Sequence, residues 1–171
     1  MFFVSRMSRG SIAASLIGLG VLVSSPSAQE AGLTGQDKAA DVVQARQLLM
    51  DAAEEHMMVI DAVNAGKDLP LSDMKSRAYQ LNILLLAFPH LFPPQTRAAA
   101  GEKDGSFQTN ATDVLWKDFS TFYQATQEFA AIALDASQAT DLQSFRTYGA
   151  KLRAGCDSCH KAYMTPVEPP R

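Results

Sequence analysis

The sequence predicts an all-α fold, an antiparallel four-helix bundle, and three observations carry that expectation. Apolar residues recur at intervals of three and four in four separate stretches. No stretch sustains the period-two alternation of a half-buried strand. Four helices in a chain of 171 residues, enough for one modest core, pack most simply side by side.

The first helix is expected from about Lys38 to Ala65, where Val43, Arg46, Met50, Ala53, Met57 and Ile60 draw one seam. Gly66 is its stop and Pro70 opens the next segment. The second helix, about Leu71 to Phe88, is apolar at Met74, Ala78, Leu81, Leu85 and Phe88, and Pro89 closes it. From Pro89 to about Asn110, three prolines, two glycines and several polar residues make a crossover loop. Thr109 to Thr112 offer caps for a third helix running to Ser137, with Leu115, Phe119, Phe122, Thr126, Phe129 and Ala133 inward. Thr140 or Asp141 caps the fourth, which presents Phe145, Gly149, Leu152, Cys156, Cys159 and Tyr163 on one side. The tail from Pro166 to Arg171, with three prolines, is expected to be irregular.

Residues 1–28 read as an export signal rather than part of the fold. Arg6 and Arg9 precede a continuous small-to-apolar run, and small residues lead up to Ala28. The run from Ile12 to Val23 is shorter than the ~20 residues of a bilayer-spanning helix. Pro26, three residues back from the expected cut, leaves its position open, and an uncleaved N-terminal anchor is the alternative. The domain proper is then 29–171. Two of the 15 basic residues leave with the signal and none of the 18 acidic ones, so the remainder carries a formal charge of −5. That balance favours neither nucleic acid nor anionic lipid, and it would steer a basic partner toward the protein. It is also ordinary solubility.

The chemistry sits at the end of the fourth helix. Cys156-Asp157-Ser158-Cys159-His160 is a C-x-x-C-H run, in which two thiols can each add to one vinyl group of a single haem while the histidine offers its imidazole to the iron. The expected cofactor is therefore haem c, held by Cys156 and Cys159, with His160 as proximal ligand. A bare redox dithiol normally opens a helix, where the helix dipole lowers a thiol pKa, and here the motif closes one. Zinc would need further ligands, and only His56 and His90 remain as imidazoles. The chain has only these two cysteines, so an oxidising compartment would pair them unless haem took them first.

With that motif, Arg46 to Met50 on helix one, Leu91-Phe92-Pro93 after helix two and Leu115-Trp116 at the start of helix three resemble the cytochrome c-prime family, particularly its low-spin cytochrome c-556 branch. The resemblance runs in order through nearly all of 29–171. It implies a four-helix bundle with one covalently bound haem, usually periplasmic and often dimeric through its first two helices. It also implies a methionine from helix one as sixth iron ligand in the low-spin branch, matching Met50 here, and an open sixth site in the high-spin branch. Relatives commonly place an arginine where this chain has Met164, so propionate pairing or local anchoring differs at that turn.

The residues make their own case for the metal and its surroundings. A soft, uncharged thioether from Met50 suits haem iron. Core filling by a flexible side chain is the alternative, since Met57, Met58 and Met74 lie nearby and cannot all be ligands. Arg46, one turn before Met50 on an apolar seam, is placed to pair with a haem propionate, the alternative being a stem lying over the bundle surface. Trp116, with Phe88, Phe119, Tyr123, Phe145 and Tyr163, supplies aromatic wall, of which fewer than half are expected to touch the haem. His56 lies off the Met50 stripe and suits a surface or capping role.

These readings imply a periplasmic carrier of single electrons, not an enzyme, exchanging with a redox protein and free of stable membrane insertion once the signal is removed. The alternative is five-coordinate binding or detoxification of nitric oxide or other small gases. A peroxidase-like activity would need a polar distal pocket, and the expected distal residues Leu49, Met50 and Ala53 do not supply one.

Overall fold

The computed structural model describes residues 39–97 and 109–165. The expected export signal at 1–28, the middle of the crossover at 98–108 and the proline-rich tail at 166–171 lie outside the described residues. Four long helices, α1 (Ala39–Asn64), α2 (Leu71–Ala87), α4 (Phe119–Ser137) and α5 (Leu142–Tyr163), form the bundle, with a short α3 (Asp113–Lys117) leading into α4. Each long helix packs on its neighbours in the order α1, α2, α4, α5, and α5 closes the ring against α1. The short links between α1 and α2 and between α4 and α5 make those pairs antiparallel.

Local chemistry sets the ends. Gly66, at φ 105°, takes the left-handed conformation that frees α1 to stop. Its amide donates to Val63 O at 3.0 Å, and that of Lys67 reaches Ala62 O at 2.9 Å, so two terminal carbonyls are satisfied. At α5, Asp141 is the cap, accepting from the Ser144 amide at 2.8 Å. The helix expected to run unbroken from Thr112 to Ser137 is instead two helices. Asp118 leaves the helical region, with φ −134° and ψ 57°, and its carboxylate accepts from the Thr121 amide to start α4 afresh. Thr112 stands at the α3 N-cap position but makes no side-chain cap bond. The crossover begins with two turns of 3-10 helix, Phe88–Leu91 and Pro94–Thr96.

The seams point inward much as the spacing predicts. Ala53, Met57, Ile60 and Val63 of α1 meet Met74, Ala78 and Leu81 of α2, Ala133 and Ala136 of α4, and Phe145 and Leu152 of α5 in the bundle core, and Val43 is buried nearer the start of α1. A second apolar cluster gathers Phe92, Leu115 and Phe122, with Phe88, Trp116, Cys159 and Tyr163 against it. Phe119, expected inward, is exposed beside the new start of α4. Asn82 is buried and ties α2 to α4 through a 2.9 Å bond to Ala130 O. Across α1 and α5, Arg146 donates to Val63 O at 3.0 Å, and Arg153 holds Asp61 at 2.9 Å.

At Gly149, α5 lies close against α1. A Cβ there would lie 2.8 Å from both Ile60 Cγ2 and Asn64 Nδ2. Gly149→Ala should therefore lower stability by ~1–3 kcal/mol through overpacking, against a helix-propensity gain of about 1 kcal/mol. A rise in the urea midpoint of the variant would contradict this account of the crossing. The two carboxylate caps add a pH dependence. Hydrogen bonds, chiefly from the Thr121 side chain to Asp118 and from the Ser144 amide to Asp141, hold both below the usual carboxylate range. Their contribution is thus complete above the unfolded value of about 3.9 and disappears as pH falls through the lower folded values. A variant carrying Asp118→Ala and Asp141→Ala should lose stability less steeply on acidification than the parent, measured by denaturant titration at successive pH values.

Candidate functional site

Past the Gly149 crossing and the Arg153–Asp61 pair, a cavity of about 500 Å³ opens between α1 and α5. Residues of both apolar clusters line it, among them Ala53, Met57, Leu81, Leu152, Phe92 and Phe122. Arg46 and Met50 reach it from α1, and Cys156, Cys159 and His160 from the last turns of α5. The seam spacing brings these five residues together because an i, i+4 pair on one helix faces an i, i+3 thiol pair on the other. Cys156 and Cys159 are half-buried, while His160 is largely exposed at the cavity edge.

The surroundings of the thiols suit neither a redox dithiol nor a zinc site. Burial pushes the Cys159 thiol up to about 11, and it raises Cys156 as well despite the opposing charge of Arg153. Reactive dithiols need the opposite shift. Among the described residues, no group of three or more His, Cys, Asp or Glu side chains converges as a metal cage.

Arg46 is 4% exposed. It does not lie over the bundle surface. Its guanidinium donates to Thr96 Oγ1 at 3.1 Å and to Thr109 Oγ1, with a weaker 3.5 Å approach to Leu91 O. It also sits 4.6 Å from the Phe92 ring centroid and 5.8 Å from that of Trp116. These partners are neutral, and desolvation pulls the Arg46 pKa down to about 10. A buried cation surrounded by hydroxyls, a carbonyl and ring faces is suited to an anion at its open side. Trp116 stands behind Phe92, at a centroid distance of 6.0 Å, rather than on the cavity wall. Its indole Nε1 is buried with no hydrogen-bond partner among the described residues.

Of the other aromatics named from the sequence, Phe88 and Tyr163 line the cavity, whereas Phe119 and Tyr123 lie outside it and Phe145 belongs to the bundle core. His56 is half-buried away from the cavity, its pKa lowered by burial and by Arg77. His90 is exposed, edge-on to Tyr123. Thr96 was not singled out by sequence reasoning, which named Thr109 only as a helix cap and Phe129 only as an inward helix position, and neither as part of the site. The charge of Arg46 on an apolar seam was the signal for the two hydroxyls, but their positions depend on the crossover.

The cavity fits a haem in size, donors and polarity. Its volume lies within the ~300–1,000 Å³ of cofactor sites. Two thiols and an imidazole border it, its walls are mainly apolar, and one buried cation faces it. A helical bundle with this motif at this place defines a c-type haem protein, and Cys156 and Cys159 are the residues that would hold haem c. A family model described as Cytochrome C' matches residues 41–164, and the chain belongs to that family.

Solved structures agree on the fold. Three single-site variants of cytochrome c prime from Alcaligenes xylosoxidans each superpose over 75% of this chain and 98% of their own. The ferrous form of one gives a TM-score of 0.65 at 23% identity. A ferric nitrite complex and a nitric oxide complex each give 0.64 at 24%. Among curated proteins no match is found.

Gly155 shapes the cavity next to the first thiol. A Cβ there would lie 2.7 Å from Phe129 Cδ1, and the Phe129 ring is part of the cavity wall. Gly155→Ala should push that ring inward, costing ~1–3 kcal/mol and lowering the haem bound per chain. Adding Phe129→Leu should restore both, as read from the ratio of haem to protein absorbance. Full haem content in the single variant would refute this placement of the wall.

Proposed function

We propose that this cytochrome c' family member is a periplasmic one-electron carrier in which His160 and Met50 are the axial iron ligands, as in the low-spin branch. Haem c, when bound, supplies a one-electron ferric/ferrous couple. The chain's own residues supply what makes that couple fast and reversible. A thioether and an imidazole favour low-spin iron, whose geometry changes little between oxidation states. Phe88, Phe92, Leu115 and Phe122 exclude water from the site, and Arg46 offers its charge to a propionate. None of these roles calls for a catalytic acid or base.

The supporting observation is the placing of the α1 methionines. Met57 also touches the cavity but is 1% exposed, its side chain committed to the bundle core, and Met58 is 56% exposed and off the cavity. Met50 lines the cavity, half-buried, one turn beyond Arg46. The periplasmic assignment rests on the export-like start of the sequence. No helix among the described residues is long and apolar enough to cross a membrane. A basic redox protein is the proposed exchange partner, supported by exposed Asp51 and Glu54 beside the cavity. Exposed Leu48 and Met58 on α1 and Tyr79, Ile83 and Leu86 on α2 support a homodimer through those helices.

The second reading is an open sixth site that binds nitric oxide or another small gas. The comparisons favour it over electron transfer, because the solved relatives include nitric oxide and nitrite complexes of cytochrome c prime. The identity of Met50 favours the first. Optical spectra of both oxidation states separate the two. The first reading expects a sharp ferrous alpha band and a weak thioether-to-iron band near the red in the ferric protein. Met50→Ala should abolish the latter and raise carbon monoxide affinity about tenfold or more, since the thioether no longer competes for the site. A broad high-spin spectrum in the parent, unchanged by the substitution, would establish the second reading instead.

A further inference from the structure

We propose that Thr109 is a positioning residue that couples the buried Arg46 to the helical turn bearing His160. The Thr109 hydroxyl oxygen accepts from Arg46 Nη2 and also from the Ala111 amide at 3.1 Å. That double acceptance fixes the start of the segment Thr109–Thr112, which runs antiparallel to the end of α5 with Ala111 opposite Met164. Two backbone bonds join them, Thr112 N to Tyr163 O at 2.8 Å and Thr165 N to Asn110 O at 2.7 Å. Tyr163 O is one of the last four carbonyls of α5, which a helix leaves without an internal partner, so Thr112 supplies what the helix cannot. Within the helix, Met164 N closes on His160 O at 3.0 Å, making the His160 turn the last one held from both sides.

The consequence is mechanical. Helix ends open at low free energy unless something outside the helix holds them. Here the holding element is a four-residue strap whose own anchor is a side chain of α1, on the other side of the cavity. Arg46 grips that strap at Thr109 and the preceding turn at Thr96, so one guanidinium fixes both described ends of the crossover. Thr109, Asn110 and Ala111 all border the cavity with His160 and Met164, so loosening the strap would loosen the proximal edge of the site.

This inference rests on the haem reading for the meaning of the His160 turn, and its test is arranged to fail separately. Thr109→Val keeps the shape but removes the acceptor, and Thr109→Ser keeps the acceptor. In the haem-loaded protein, Thr109→Val should speed hydrogen exchange at the Thr112, Met164 and Thr165 amides about tenfold, the value of one lost hydrogen bond. It should also alter the Soret circular dichroism, and Thr109→Ser should return both readouts to the parental pattern. Thr109→Ala, with less side chain to misplace, should repeat the valine result. Parental exchange in the valine and alanine variants, or a serine variant as disturbed as valine, would overturn the proposal. Haem attachment is scored independently by whether pigment stays with the unfolded chain, and its failure would leave the exchange comparison standing.

Discussion

The register of α5 against α1 is the constraint on which the site depends. At Gly149 the missing side chain lets the two helices meet on Ile60 and Asn64, and one turn further on Arg153 pairs with Asp61. Followed from that crossing toward the same end of the bundle, α1 backward and α5 forward along the chain, α1 arrives at Met50 and Arg46 as α5 arrives at Cys156, Cys159 and His160. The same pairing that closes the bundle at one end therefore sets which side chains share the cavity at the other. A slip of one residue in either helix would turn its facing side chain by about 100° away from the seam.

The second element of the design is a charge placed where a core would ordinarily be apolar. Arg46 occupies a seam position, and neutral groups on the crossover, Thr96 and Thr109, take its hydrogen bonds. Its burial lowers its pKa without bringing that value near neutrality, so it stays cationic inside an otherwise apolar wall. Such an arrangement sets a fixed planar fork of donors, the geometry that suits a carboxylate, inside that wall. The Phe92 ring beneath it and the Trp116 indole behind that ring hold the guanidinium in place.

How far the sequence disclosed this differs from residue to residue for physical reasons. The four long helices, the Gly66 stop and the Asp141 cap depend on local periodicity and backbone chemistry, and they were legible. The facing of Met50 toward the motif was legible too, because both lie on seams of strict spacing. The break at Asp118 was not, since the apolar spacing runs through it and a local carboxylate cap competes with helix continuation. That same break turned Phe119 outward. The hydroxyls on Arg46 and the strap on the end of α5 join residues far apart in the chain, and no local pattern encodes such meetings. Trp116 was named for its chemistry rather than its position, and it packs one layer behind the wall.

The account stands on covalent attachment of haem to the last turns of α5, and intact-mass spectrometry measures that most directly. Protein made in a host that exports and loads c-type cytochromes, then denatured and extracted with acid and acetone, should retain the mass of one haem on each chain. Replacing both Cys156 and Cys159 with alanine should leave the bare polypeptide mass. A parent chain that emerges from extraction at its polypeptide mass alone would contradict the central claim.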